Sequence, residues 1–308
     1  MPGTPSVIVT HQLGWRKGVQ FAGQYLAQAL GFLDAEGVAA EFIEGGADTN
    51  YRGLVASGRV LVSESTPLGM IDAALEGQDL VAFAAVMQRD PAALLSQRGR
   101  PIASLSDMLG KTIAAPAGVS HLVRALLRRA DLPADDVAFT RPGDDAGRLA
   151  AREIDGYYGH ATVAVPALRA LGIDPHTLLL GDLGAPGYAQ ALIVRRDVLD
   201  DHHDLLVRYL RALVKGWRHF VEHPEESTRL IVEQWATDAP FEEQLGQAAM
   251  MRDFILAGDA LSRGILWIDP ARFDQALTFA RETGLAPADR KIDAGRLATQ
   301  SLIKQALA

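Results

Sequence analysis

Short apolar runs alternate with amphipathic stretches over most of the chain. The runs Ser6–Thr10, Val38–Ile43 and Leu80–Met87 have the length and composition of buried strands. Between the first two, apolar residues recur at helical spacing, which predicts a helix over Gln20–Leu30. This β-α-β rhythm predicts an α/β protein with a mostly parallel sheet covered by helices.

The same rhythm begins again after a turn-forming cluster, Gln97–Pro101. It includes a short predicted strand, Ile154–Tyr158, and leads to a further strand at Tyr188–Val194. Beyond that strand the pattern is helical, and Leu205–Val221 is strongly amphipathic.

Two sheet-centred regions in one chain predict two lobes joined by two crossover strands. We expect residues 1–88 and 189–308 to form the first lobe, including the C-terminal helices, and residues 89–188 to form the second. The crossings are expected near Met87–Asp90 and Pro186–Gln190. A ligand would bind in the cleft between the lobes, at the carboxyl ends of the strands.

Composition narrows the function classes. The chain has 30 Lys and Arg against 38 Asp and Glu, a net charge of −8, which argues against nucleic-acid binding. It has no cysteine, so thiolate nucleophiles, disulfides and cysteine-bound metals are excluded. No serine lies in a Gly-x-Ser-x-Gly motif. His219 and His223 have the i, i+4 spacing of a zinc site, but no carboxylate is placed as in the His-Glu-x-x-His pattern, so we expect a solvated helix face there. We therefore expect neither a metal nor a cofactor.

Polar groups follow several predicted strands. The hydroxyl-rich segment Ser63–Thr66 comes directly after a strand predicted at Arg59–Ser63. Its side chains could bind a ligand, cap the helix that starts at Pro67, or do both. His121 and His160 also follow a strand end or turn, where a ligand site could lie.

Five aromatic residues lie at predicted strand ends and junctions, where they are more typical of a binding cleft than of a core. Trp15 follows the first strand, Tyr51 follows a Gly-Gly turn, and Tyr188 lies at the second crossing. Adjacent strand residues face opposite ways, so at most one of Tyr157 and Tyr158 faces the cleft if their strand continues. We predict that one of these tyrosines contacts the ligand, opposite Trp15.

Several segments, in order, resemble the substrate-binding proteins of ABC importers, in the branch that carries thiamine-pyrimidine precursors, riboflavin, sulfonates and nitrate. The segments are His11–Trp15, Gln20–Ala27, Gly31–Val38, Glu44–Asp48, Leu54–Gly58, Gln88–Pro91, Ser106–Thr112, Ile154–Tyr158 and Lys215–Glu226. The resemblance implies the type II periplasmic-binding-protein fold and a monomer that delivers a small ligand to a membrane permease without catalysis. It also implies a periplasmic location, with a leader peptide that this sequence does not show.

The resemblance and the residues together predict a small planar ligand of the pyrimidine-precursor or flavin type. Pyrimidine-precursor proteins typically have His where this chain has Phe21, and Asp where it has Gly14. The residues expected to bind the ligand are Trp15, Gln20, Phe21, Tyr51, Ser63, Glu64, Ser65, Gln88, His121, Tyr157, Tyr158, His160 and Tyr188.

Two alternatives stay open. The ligand could be an anion, such as an alkyl sulfonate or nitrate, bound by Arg16, Lys17 and helix N-termini. The chain could also be a cytosolic enzyme on the same fold, with His160 or His121 as general base.

Overall fold

A computed structural model of the chain describes residues 7–46, 48–185, 187–235 and 239–308. Ser6, Ala47 and Pro186, which belong to the predicted first strand, a family-like segment and the second crossing, lie outside these ranges. The chain divides into two compact units. The first contains Met1–Arg89, Tyr188–Asp274 and Ile292–Ala308, and the second contains Asp90–Gly187 and Gln275–Lys291.

The first part of the chain alternates strands and helices. Its elements are β1 Val9–Gln12, α1 Ala22–Ala29, α2 Phe32–Ala35, β2 Ala40–Ile43, α3 Tyr51–Ala56, β3 Ser63–Ser65, α4 Pro67–Leu75 and β4 Leu80–Met87.

The middle part contains the strands and helices of the second unit. Its elements are β5 Ala92–Gln97, β6 Thr112–Ala114, α5 Ala117–Arg129, β7 Ala138–Thr140, α6 Asp145–Ala150, β8 Gly156–His160, α7 Ala161–Ala170 and β9 Pro175–Leu179.

The last part begins with one strand and is otherwise helical. Its elements are β10 Ala189–Arg195, α8 Arg196–Asp201, α9 His203–Glu222, α10 Pro224–Trp235, α11 Phe241–Ile255, α12 Ala260–Arg263, α13 Ala271–Glu282 and α14 Ser301–Leu307.

Strand directions differ from the mostly parallel sheet that the rhythm predicted. In the first unit β1 and β2 are parallel, but β10 lies between β3 and β4 and is antiparallel to both. In the second unit β6 is parallel to β7 and β8, whereas β5 is antiparallel to β8 and β9. The prediction was wrong because strands β5 and β10, which follow the two crossings, run opposite to the strands of the β-α units they join.

Strand β5 is also absent from the sequence prediction. Its apolar segment is short and directly precedes the Gln97–Pro101 turn, so it resembles a connection. Nevertheless β5 lies between β8 and β9, and all but its last residue are buried.

Helix α9 forms the main helical contact of the first unit. Trp217 is completely buried beside α1, and an added Cβ atom at Gly216 would clash with the carbonyl oxygen of Gly23. Only glycine allows the two backbones to approach this closely. This contact holds α1 and the residues around it in place.

Residues 275–291 group with the second unit, although the sequence-based division put them in the first lobe. Two side chains of α13 explain the difference. The Arg129 guanidinium of α5 lies over the Phe279 ring at 5.6 Å and forms an ion pair with Glu282 at 3.4 Å. None of the helices in the described ranges is long and apolar enough to cross a membrane.

Candidate functional site

The candidate site in the first unit is built at strand β3. Ser63 is buried and donates its hydroxyl hydrogen bond to the Gln12 carbonyl oxygen at 2.9 Å. After the strand, the Thr66 hydroxyl accepts the Gly69 N–H at 3.1 Å, with Pro67 at the start of α4. The cap predicted within Ser63–Thr66 is therefore made by Thr66, while Glu64, between the two serines, points to other partners.

The Glu64 carboxyl group is the centre of a buried polar cluster. Gln24 Nε2 lies 3.4 Å from Oε1, and Gln190 Nε2 lies 3.4 Å from Oε2. The Gly14 backbone also donates to the carboxyl group, and an added Cβ at Gly14 would lie 2.5 Å from Oε2. Glycine at position 14 therefore leaves the space that the carboxyl group occupies.

His11 connects this carboxyl group to helix α9. Its Nε2 lies 3.7 Å from Glu64 Oε1, and its Nδ1 lies 2.7 Å from the Tyr209 hydroxyl. Burial lowers the pKa of His11 to about 3, and burial raises the pKa of Glu64 to about 8 against smaller opposing effects of the Gln190 and Gly14 hydrogen bonds. Both pKa shifts favour the uncharged forms of the two side chains, a neutral imidazole and a protonated carboxyl group.

Gln190 reaches the cluster from β10 with a strained backbone. Its φ is 52°, in the left-handed region that a residue with a Cβ rarely occupies. Its Nε2 donates to the Gln20 carbonyl oxygen at 3.0 Å besides approaching Glu64. Strain of this kind, of order 1–3 kcal/mol, is concentrated at functional sites.

Four of the predicted ligand residues belong to the first unit and are at least partly exposed. Trp15, in the loop after β1, is 44% exposed. Gln20 donates from Nε2 to the Arg16 carbonyl oxygen at 3.1 Å. The Tyr51 hydroxyl donates to the Gly46 carbonyl oxygen at 2.7 Å, and the residue is partly exposed. Ser65 is also partly exposed, and its hydroxyl lies 3.4 Å from the Thr66 carbonyl oxygen.

The structure gives three other predicted residues internal contacts instead. Phe21 is 1% exposed within the core. Gln88 is fully buried, and its Nε2 donates to the Trp267 carbonyl oxygen at 2.8 Å. Tyr188 is fully buried, accepts the Asp269 N–H and lies under the Arg272 guanidinium. These side chains are not part of the group that surrounds Glu64.

The remaining predicted residues belong to the second unit. Tyr158 and His160 lie on one face of β8 with their rings edge to face at 6.3 Å, whereas Tyr157 points the other way and is buried. Burial raises the pKa of nearby Asp90, and the His160 imidazole partly opposes that rise. His121, on α5, is exposed. Tyr158, His160 and Asp90 therefore form a second, smaller polar group.

The arrangement contains four site residues that the sequence analysis did not select: His11, Gln24, Gln190 and Tyr209. Each lies on a different element, so spacing along the chain does not bring them together. A partial signal exists at two of them, because His11 and Gln190 are polar residues inside apolar strand segments. Across the described ranges, no group of three or more His, Cys, Asp or Glu could hold a metal ion.

The chain is similar to known proteins in both sequence and fold. The chain is 24% identical over 265 residues to the riboflavin-binding protein RibY of Chloroflexus aurantiacus, covering 80% of this chain and 70% of RibY. Its fold matches the periplasmic aliphatic sulphonate binding protein SsuA of Escherichia coli with a TM-score of 0.71, 18% identity and coverage of 96% and 92%.

The fold also matches the desulfurization enzyme DszB, with a TM-score of 0.66, 16% identity and coverage of 97% and 98%. The periplasmic-binding-protein fold predicted from the sequence is thereby confirmed, although the fold alone serves both binding and catalysis. The NMT1/THI5-like family model matches residues 19–227, more than half of the chain. The chain therefore belongs to the NMT1/THI5-like family.

Proposed function

We propose that this protein is a periplasmic solute-binding protein of an ABC importer. It binds a small planar nitrogen heterocycle, of the pyrimidine or flavin type, and delivers it to a membrane permease without changing it chemically. Family membership and the similarity to RibY, which is named as a riboflavin-binding protein, support this function.

The observation that carries the ligand class is the composition of the Glu64 cluster. Its carboxyl group is approached by amide, imidazole and backbone groups, and it is itself acidic. Sites for anions instead present cationic side chains or converging N–H donors. The groups that approach the Glu64 carboxyl are two amides, an imidazole and a backbone N–H rather than lysine or arginine side chains. The cluster suits a neutral, hydrogen-bonding ligand better than a sulfonate.

Trp15 supports a planar ligand. A large aromatic side chain that stays 44% exposed beside a polar strand end is available for stacking. Stacking of a base or similar ring on an aromatic side chain contributes roughly 1–3 kcal/mol by alanine substitution. In the second unit, the partly exposed Tyr158 is a further candidate for such a contact.

A ligand panel tests the proposal directly. Purified protein is titrated with riboflavin, a 4-aminopyrimidine, an alkanesulfonate and nitrate, by calorimetry and by thermal unfolding. Saturation at about 100 times the dissociation constant adds roughly 2.7 kcal/mol of stability, a melting shift of a few degrees. We expect a heterocycle to bind; binding of the sulfonate or nitrate alone would contradict the proposed ligand class and favour the anion alternative.

The same samples test whether the protein is an enzyme. Mass spectrometry after prolonged incubation should recover the bound heterocycle unchanged. A product that forms with the wild type, and is lost in His160→Asn or His121→Asn, would instead support an enzyme with that histidine as base. Light scattering should give the monomer mass, 33.1 kDa.

A further inference from the structure

Hydrogen-bond acceptors outnumber donors in the Glu64 cluster. Four buried polar atoms around the carboxyl group have no partner: His11 Nε2, Gln24 Oε1, Gln190 Oε1 and the Tyr25 hydroxyl, which can donate only one hydrogen bond. The two amide oxygens are acceptors, and His11 Nε2 is a third acceptor when Nδ1 carries the proton and donates it to Tyr209. Buried acceptors without donors are costly, so a donor belongs in this site.

An ionised Glu64 would make the shortage worse. A carboxylate only accepts hydrogen bonds, whereas a protonated carboxyl group supplies one O–H donor and keeps one acceptor oxygen. The hydrogen-bonding inventory and the burial of His11 therefore both favour an uncharged Glu64.

We propose that Glu64 acts as an uncharged carboxyl group that recognises a ligand edge on which an N–H donor lies beside an acceptor. It donates one hydrogen bond to this edge and accepts one from it. Cyclic imides such as the pyrimidine ring of a flavin have such an edge, and so do aminopyrimidines. This inference rests on the proposed function and names the chemistry by which the site selects its ligand.

The other groups facing Glu64 are compatible with a neutral carboxyl. Tyr25, Tyr51 and Tyr209 all have raised pKa values, chiefly because of burial, so they remain protonated at neutral pH. The nearby α3 cation Arg52 pairs instead with Asp72 of α4 and with Glu76, which directly follows α4. Glu44, after β2, accepts the Lys17 backbone N–H.

Access to the carboxyl group is narrow. The Glu64 side chain is 5% exposed, and the strained Gln190 and the backbone of Gly14 fix its Oε2 side. A group held this firmly can select one pattern of donor and acceptor, because a ligand with the wrong pattern leaves buried polar atoms unpaired.

Matched ligands test the inference on the unmodified protein. Riboflavin is compared with 3-methylriboflavin, and 4-aminopyrimidine with 4-(dimethylamino)pyrimidine, by calorimetry at pH 6.5. Methylation removes the N–H donor and keeps the ring. We expect the methylated partner of the bound compound to bind about 10- to 100-fold more weakly. Equal affinities would overturn the inference and leave the proposed function standing.

Variants then distinguish a neutral from an ionised carboxyl group. Glu64→Gln keeps one donor and one acceptor and should bind within about threefold of wild type, whereas Glu64→Leu should lose tenfold or more. Glu41→Gln, the same change at an exposed glutamate of β2, is the matched control. Equal losses in Glu64→Gln and Glu64→Leu would show an ionised Glu64, and no loss in Glu64→Leu would show that it does not contact the ligand.

The pH dependence of ligand affinity provides a further test. Wild-type affinity should be constant at mildly acidic and neutral pH and fall as Glu64 ionises near pH 8, whereas Glu64→Gln should show no such fall. A wild-type affinity that increases through this range would overturn the inference. If neither heterocycle binds the wild type at all, the proposed function itself fails, and the inference with it.

Discussion

Replacing Glu64 by Gln should make the first unit more stable than wild type as the pH rises. Burial raises the folded-state pKa of Glu64 from an ordinary value of 4.5 to about 8. Between these values the folded protein holds a proton on Glu64 that the unfolded chain has released, so the Glu64 contribution to wild-type stability falls with increasing pH. Gln does not titrate, and the variant should not show this fall.

The expected size follows from the pKa difference. At about 1.4 kcal/mol per pKa unit, Glu64 lowers the wild-type free energy of unfolding by at most about 5 kcal/mol above pH 8 and by roughly 3 kcal/mol at pH 7, relative to low pH. His11 acts in the opposite direction, because burial lowers its pKa from 6.5 to about 3. The stability that the neutral His11 side chain contributes to folding is fully present above pH 6.5 and is lost as the pH falls toward 3. Between pH 4.5 and 6.5 folding transfers one proton from imidazole to carboxyl, and the pair adds no slope.

Tryptophan fluorescence provides a suitable assay. All four tryptophans, Trp15, Trp217, Trp235 and Trp267, belong to the first unit, so urea unfolding followed by their emission reports on that unit. Wild type, Glu64→Gln and the exposed control Glu41→Gln are compared from pH 5 to 8.5. The difference between Glu64→Gln and wild type should grow with pH, and that for Glu41→Gln should stay level. A constant difference at Glu64 would refute a proton held there in the folded state.

Further predictions concern packing, ion pairing and ligand contact. Gly216→Ala should destabilise the first unit by about 1–3 kcal/mol, because the new Cβ clashes with the backbone of α1. Gly46→Ala, where the added Cβ meets open space, should not destabilise it. Equal urea midpoints for the two variants would contradict this packing. Glu36→Gln should lower the free energy of unfolding by about 1 kcal/mol or less at pH 7, because it removes the ion pairs of Glu36 with Lys215 at 2.6 Å and Arg211 at 3.4 Å. The loss is small because both cations are partly exposed to solvent, and high salt should reduce the difference in stability between variant and wild type. Tyr158→Ala should weaken ligand binding, measured by calorimetry, more than Tyr157→Ala, because only Tyr158 is partly exposed; the reverse order would exclude Tyr158 as a contact.

The sequence pattern located most elements because burial follows local composition. The uninterrupted apolar run Leu80–Met87 is β4 with the same bounds, and every residue in it is buried. Strand direction could not be predicted in this way, because pairing depends on contacts between distant segments. Strand β10 shows this: its neighbours β3 and β4 both lie more than a hundred residues earlier in the chain.

The candidate site was predictable only at the polar segment Ser63–Thr66, which was expected to follow a strand and instead contains strand β3. Glu64 was selected because it belongs to a polar segment after an apolar run. Its partners Gln24 and Tyr209 lie on the buried faces of helices, where a polar side chain has no local signature. Only the folded structure shows that Gln24 contacts the Glu64 carboxyl group and that Tyr209 contacts His11, which lies beside it.

The protonation state of Glu64 determines why the site disfavours an anion. When Glu64 is protonated, the surrounding amide oxygens and imidazole nitrogen still lack donors, and a sulfonate offers only further acceptors. When Glu64 is ionised at higher pH, its charge repels an anion as well. The site therefore disfavours anions on both sides of its titration. A single substitution at Glu64 would remove the charge but not the surplus of acceptors. On the proposed function, converting the site to bind anions would thus require changes at Gln24 or Gln190 as well as at Glu64.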